Sequence, residues 1–226
     1  SLVQPVPSLF TFNLPGHSIT RLMGVSQVAR VKIAGTKYET EGPVLITHWG
    51  LSGPAVLRTS AFAARELALC QYQFDVFINW LPQFNENSLR EKILLYRQEK
   101  GSKKVINTEW VALPDRLWEY LLEQCGIDHD IRWADLPAAN QNKLVKALCA
   151  FQVSAKGKTT FKEEFVTAGG ITLSEVDAHS MESKLHPGLY FAGEVMDVDG
   201  ITGGFNFQHA WTSGMLAARH IAARGN

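Results

Sequence analysis

The sequence predicts an α+β fold: a mostly antiparallel, barrel-like β domain, a three-helix subdomain inserted into it, and a C-terminal strand–loop–helix unit. Three observations predict it. Alternating apolar and polar residues recur before position 84 and again after position 152. Between them, residues 85–151 switch to helical periodicity with polar connections. Near the end, an apolar run, Leu189-Tyr190-Phe191-Ala192, meets a glycine-rich loop and then one long helical pattern. The implied division is 1–84 with 152–180 for the β-rich domain, 85–151 for the helices and 181–226 for the C-terminal segment.

Taken in order, residues 9–33 suggest strands. Phe10 and Phe12 alternate with polar residues, Pro15-Gly16 marks a turn, and Val25 to Ile33 alternates again. Ala34-Gly35-Thr36-Lys37 reads as a hairpin loop into Lys37–Thr40, and Glu41-Gly42-Pro43 as a break before a short strand, Val44–Thr47. That strand delivers His48 to a loop. A helix over about 53–68 follows, with Ser52 as N-cap and Pro54 in its first turn. Gln73–Leu81 is an alternating strand with Phe74, Val76, Ile78 and Trp80 on one face.

Helices are predicted over Asn87–Gln98, capped by Asn85 or Asn87, over Pro114–Cys125, and over Pro137–Phe151 with Leu144, Val145 and Leu148 inward. The strand pattern returns through Val153, Thr160-Phe161 and Glu164-Phe165-Val166, then passes Thr167-Ala168-Gly169-Gly170 into Ile171–Val176. The sheet is therefore expected to be completed from both sides of the insertion. In the last unit, Leu189–Ala192 reads as a buried strand after the Pro-Gly turn, and Phe207, Trp211, Gly214, Ala218 and Ile221 fall on one helix face.

Composition excludes several function classes. Lys+Arg and Asp+Glu both number 22, so no long-range field would draw nucleic acid or an anionic membrane to the 226-residue chain. Lys103-Lys104 and Lys156, Lys158 and Lys162 are short basic clusters without interleaved aromatics. No apolar run reaches the roughly 20 residues of a membrane span, and the N-terminus lacks the basic region of a signal peptide. The three cysteines, Cys70, Cys125 and Cys149, have no C-x-x-C spacing and read as reduced core thiols of a cytoplasmic protein. The histidines make no H-E-x-x-H or H-x-x-x-H pair with a third ligand, so no metal is expected. Asp197-Val198-Asp199-Gly200 fails as a calcium loop, because its glycine comes early and no glutamate closes it.

The C-terminal unit carries the chemistry. Gly203 and Gly204 leave backbone N–H groups uncovered at a helix N-terminus, where the macrodipole adds partial positive charge. Glu194, at the end of the apolar run, could accept hydrogen bonds from ligand hydroxyls. A tight turn entering a packed helix is the plainer reading of the same residues. Gly50-Leu51-Ser52-Gly53-Pro54 falls short of a G-x-S-x-G elbow, because Pro54 occupies the last glycine position, and no Ser…Asp…His order supports a hydrolase. His209, among apolar helix residues, is expected in the core or at an interface rather than in catalysis.

The stretch Phe191-Ala192-Gly193-Glu194, Asp197-Val198-Asp199-Gly200, Gly203-Gly204-Phe205-Asn206-Phe207-Gln208 and Ala210-Trp211-Thr212-Ser213-Gly214 closely resembles the C-terminal FAD-binding motif of the BaiN/YhiN-like bacterial flavoproteins. Val166–Gly170, Met181–Lys184 and Thr47–Pro54 extend the resemblance. It implies that residues 181–226 are part of an FAD-binding α/β domain. It further implies that Gly193, Glu194, Gly203, Gly204, Phe205 and Asn206 face the flavin, with Asp197, Asp199 and Gly200 shaping the loop. The implied chemistry is hydride transfer between flavin and a small organic substrate. Family members begin with a G-x-G-x-x-G turn that holds the FAD pyrophosphate. None occurs in these residues, so the chain is expected to be the C-terminal half of such a protein. His48 admits two readings, a proton donor or substrate partner near the ring, or a histidine satisfied by a backbone carbonyl. The alternative to an enzyme is a cap or interaction domain that binds no flavin and self-associates through the apolar face of its last helix.

Overall fold

The computed structural model describes residues 1–157 and 165–224. The strand signals at Thr160, Phe161 and Glu164, and the basic residues Lys158 and Lys162, lie outside the described residues. Strand β1 (Leu2–Ser8) was not legible in the sequence, because Pro5 and Pro7 argue against a strand interior. It forms a two-stranded antiparallel ribbon with a late partner and, among the described residues, pairs with no other strand, the edge position in which proline is tolerated. Next come β2 (Phe12–Asn13), β3 (Ser26–Ile33) and β4 (Glu39–Ile46). In β3 the alternation works as read: Ala29, Val31 and Ile33 are buried while Lys32 faces out. β4 runs unbroken through Gly42-Pro43, where a break was expected. Its neighbour β5 (Gly50–Ser52) meets β4 at Leu45 and Ile46 and stops short of Pro43, which needs no partner for a backbone N–H.

The helix expected over 53–68 is two helices, α1 (Pro54–Phe62) and α2 (Ala64–Leu69), separated at Ala63. Its N-cap is Gly53, not Ser52. At φ 96° the backbone is in a region side chains rarely adopt, and a Cβ there would meet the Pro43 carbonyl oxygen at 2.7 Å. Strand β6 (Gln73–Asn79) follows, then α3 (Glu86–Lys100), α4 (Asp115–Gln124), α5 (Ala138–Cys149) and β7 (Phe151–Lys156). The start of α3 is a capping box: the Asn85 side chain accepts from Ser88 N–H at 2.9 Å, and Ser88 Oγ accepts from Asn85 N–H at 3.0 Å.

The six strands form one antiparallel sheet in the order β2-β5-β4-β3-β6-β7, and β2 lies against β7, so the sheet nearly closes into a barrel. β6 and β7 pair across the helical insertion, as the returning alternation implied. The helices of 85–151 share the barrel's core: Leu89, Ile93, Leu117, Leu121, Leu144 and Leu148 pack in one cluster with Val31, Val76, Ile78 and Trp80.

The remainder is built on a smaller core. Strand β8 (Val166–Ile171) pairs with β1, and the long helix α6 (Phe205–Arg224) closes over Val176, Met181, Met196 and Ala217. The expected buried strand Leu189–Ala192 is a correction. Tyr190 makes a single bridge to Glu182, Leu189 is exposed, and no ladder forms. An apolar run becomes a strand only where neighbours take up its backbone groups, and the described residues offer it no second strand. Cys125 and Cys149 are core-side thiols pushed up to about 11 by burial. Cys70, expected in the core, is exposed. No helix among the described residues is long and apolar enough to cross a membrane.

Candidate functional site

The chain after β8 is fixed group by group. The tight turn Gly193–Val195 is anchored by Gly193 N–H donating to Ser213 Oγ at 3.0 Å, while Ser213 Oγ donates to the His209 carbonyl at 2.7 Å. Glu194 Oε1 accepts from the Thr167 N–H of β8 at 2.8 Å. Two carboxylates then tie the loop to the barrel side. Asp197 pairs with Arg65 of α2 at 2.9 Å, and Asp199 accepts from Ser8 Oγ of β1 at 2.9 Å. Burial pushes the Asp199 carboxyl above the ordinary aspartate range, against the opposing pull of the Ser8 hydrogen bond and Arg65.

Asn206 closes the loop on itself. Its side chain accepts from Gly200 N–H at 2.7 Å and donates to the Gly200 carbonyl at 2.9 Å. The Asn206 amide is thus committed to Gly200 and leaves the N–H groups of the first turn of α6 to other partners. Gly203 and Gly204 precede that turn at φ 124° and 84°.

These elements enclose a cleft of about 440 Å³. One wall is apolar and comes from the barrel side and β8, with Leu9, Leu57, Phe165 and Val166. Val198, Ile201 and Thr202 of the loop form a second. The floor is the start of α6, with Gly203, Gly204, Asn206, Phe207, His209 and Ala210, and Glu194 stands at the side. A volume in this range, mostly apolar with a few polar groups, is of the size and character of small-molecule clefts. Another concavity, about 500 Å³ beside Glu66, Cys70 and Asp75, contains none of the residues expected at a ligand.

Of the residues expected at the ligand, Glu194, Gly203, Gly204 and Asn206 line the cleft. Gly193, Asp197, Asp199 and Gly200 do not line it but hold the loop that does. Phe205 is 57% exposed and outside the walls. His48 lies in the turn between β4 and β5, exposed, its ring against Trp49 at 4.0 Å between centroids, and does not line the cleft. His209, expected in the core or at an interface, lines the cleft. Its signal was present as the lone ionisable residue in the first three turns of α6. Leu9 and Leu57 gave none, since nothing local distinguishes a wall leucine from a core leucine.

Barrel, inserted helices and a cleft at the start of a long C-terminal helix define a barrel-and-helix architecture. The family profile described as "HI0933-like protein barrel and H2TH domain" matches residues 6–166, and the chain belongs to that family. It is 38% identical over 181 residues to the ribosomal RNA dihydrouridine synthase of Escherichia coli, covering 80% of this chain and 42% of that protein. It is 32% identical over 225 residues to the protein of the same name from Haemophilus influenzae, covering 98% and 53%. It is also 29% identical over 227 residues to the 3-dehydro-bile acid delta(4,6)-reductase of Clostridium scindens, covering 99% and 55%. The chain spans about half the length of the curated relatives it matches.

Proposed function

We propose that this chain forms the ring-facing part of an FAD-dependent reductase acting on a carbon–carbon double bond conjugated to a carbonyl. The observation that carries the reading is the cleft at the N-terminus of α6, apolar on two sides and bounded by Gly203 and Gly204. The names of the relatives support the reaction class, since dihydrouridine synthase and delta(4,6)-reductase both describe adding hydrogen across a double bond. The fit to a flavin ring rests on this structure. The floor opens with Gly203 and Gly204, where no side chain stands between a planar ring and the backbone, and His209 Nε2 is buried without a hydrogen-bond partner among the described residues.

A bound flavin would supply the hydride; the rest of the chemistry belongs to the chain. The positive end of the 20-residue α6 favours negative charge at its first turn, where a reduced ring or an enolate would carry it. Leu9, Leu57, Val166, Val198 and Ile201 exclude water and so strengthen that interaction. The Asp197–Arg65 pair and the Ser8–Asp199 hydrogen bond keep loop and barrel in register, so both walls address one ligand. Glu194 and His209 are the ionisable groups of the lining. The test is the visible spectrum of the purified chain after incubation with excess FAD and removal of free flavin. A retained flavin band is expected; a colourless protein overturns the reading.

A second reading, a non-catalytic domain that self-associates, is favoured by one observation. Phe207, Trp211, Met215 and Ile221 of α6 are all at least half exposed, and Phe207 and Trp211 stack on each other. Such a contiguous apolar face is unusual on a monomer.

A further inference from the structure

His209 combines three properties. It sits on the cleft floor beside Ala210, at the start of α6. Its Nε2 is buried and, among the described residues, has no hydrogen-bond partner. Its own carbonyl is engaged by Ser213 Oγ at 2.7 Å, and Ser213 Oγ in turn receives Gly193 N–H at 3.0 Å, so the backbone at His209 is tied to the turn that positions Glu194.

A buried ring nitrogen without a partner is unfavourable, because it has lost its water and received nothing in exchange. Glu194, the other ionisable group of the lining, already accepts from Thr167 N–H. Asn206, the remaining amide there, spends both ends of its side chain on Gly200. A planar ligand with a polar edge would therefore find the uncommitted side-chain nitrogen of this cleft on His209.

We propose that His209 is the binding and orienting residue of the cleft, its Nε2 hydrogen-bonding the polar edge of the flavin ring. The inference rests on the flavin reading above and assigns to it a residue that neither the motif nor the relatives point to. An imidazole at this place selects a ring with a hydrogen-bonding edge over an apolar ring of the same size, and fixes which edge points at α6.

The experiment is equilibrium binding of FAD and of riboflavin, which carries the ring without the phosphates, to the wild-type chain, His209→Leu and His209→Asn, followed by flavin fluorescence. Thermal unfolding of each ligand-free protein runs alongside. His209→Leu is expected to weaken both ligands roughly tenfold, the size of one lost hydrogen bond, while melting no lower than the wild type. His209→Asn, whose amide can still hydrogen-bond, is expected to keep most of the affinity. Wild-type affinity in His209→Leu overturns this inference and leaves the flavin reading standing. Equal loss in both variants with lowered melting assigns His209 to packing and overturns it likewise. No binding of either flavin by the wild type overturns both.

Discussion

Replacing Gly170 by alanine tests how the C-terminal segment is joined to the barrel. Gly170 has φ 131°, and a Cβ there would lie 2.4 Å from the Val195 carbonyl oxygen and 2.9 Å from the Met196 carbonyl carbon. Both contacts are backbone, so no side chain can swing away. The positive φ costs about 1–3 kcal/mol for a non-glycine residue, and forcing an extra methyl into a packed site about 1–3 kcal/mol more. The sum is at least about 2 kcal/mol, which for a chain of this size lowers Tm by at least about 4 °C. Gly214→Ala is the internal control. It lies in mid-α6 with nothing within 4 Å of its Cβ position, so it should gain up to about 1 kcal/mol from helix propensity. The assay is thermal unfolding by circular dichroism with amide exchange. In G170A, exchange should accelerate in 166–171 and 193–199 while β3 and β6 stay protected, because the two segments rest on separate cores. G170A melting within about 1 °C of wild type would refute the close-approach argument.

Two further outcomes follow. Asp199 has a folded-state pKa raised above its ordinary value of 3.8, chiefly by burial. Its protonated form is therefore the one the fold favours, and that stability is lost as pH rises from about 3.8 through the folded value. Asp199→Asn, which can still accept from Ser8, should gain in urea midpoint relative to wild type between pH 4 and 7; a constant difference across that range sinks the assignment. For the apolar face of α6, where Phe207 is 70% and Trp211 69% exposed, light scattering at micromolar concentration should give a mass above the monomer, and Trp211→Glu should restore the monomer. A monomeric wild type ends the self-association reading.

What the sequence by itself determined is what depends on local period and local chemistry. The alternation in β3 and β6 placed Val31, Val76 and Ile78 inward, and the helical spacing in α4 and α5 placed Leu117, Leu121, Leu144 and Leu148 inward. Asn85, one of two candidate caps, proved to be the cap. The glycine-rich wording of 193–206 coincides with the loop beside the cleft, because Gly193, Gly203 and Gly204 all take the positive φ that favours glycine. Tertiary structure alone decided the rest. Whether Pro5 and Pro7 could sit in a strand depended on β1 lying at an edge, and whether Leu189–Ala192 became a strand depended on neighbours absent from the described residues. Arg65 met Asp197 and Ser8 met Asp199 across separations of 132 and 191 residues that no local pattern encodes. His48 and His209 looked alike in sequence, each a histidine beside apolar residues. Only the tertiary placement of α6 across the cleft from Leu9 and Leu57 put one in the cleft and left the other in an exposed turn, because the surroundings of a side chain are set by what the rest of the chain brings against it.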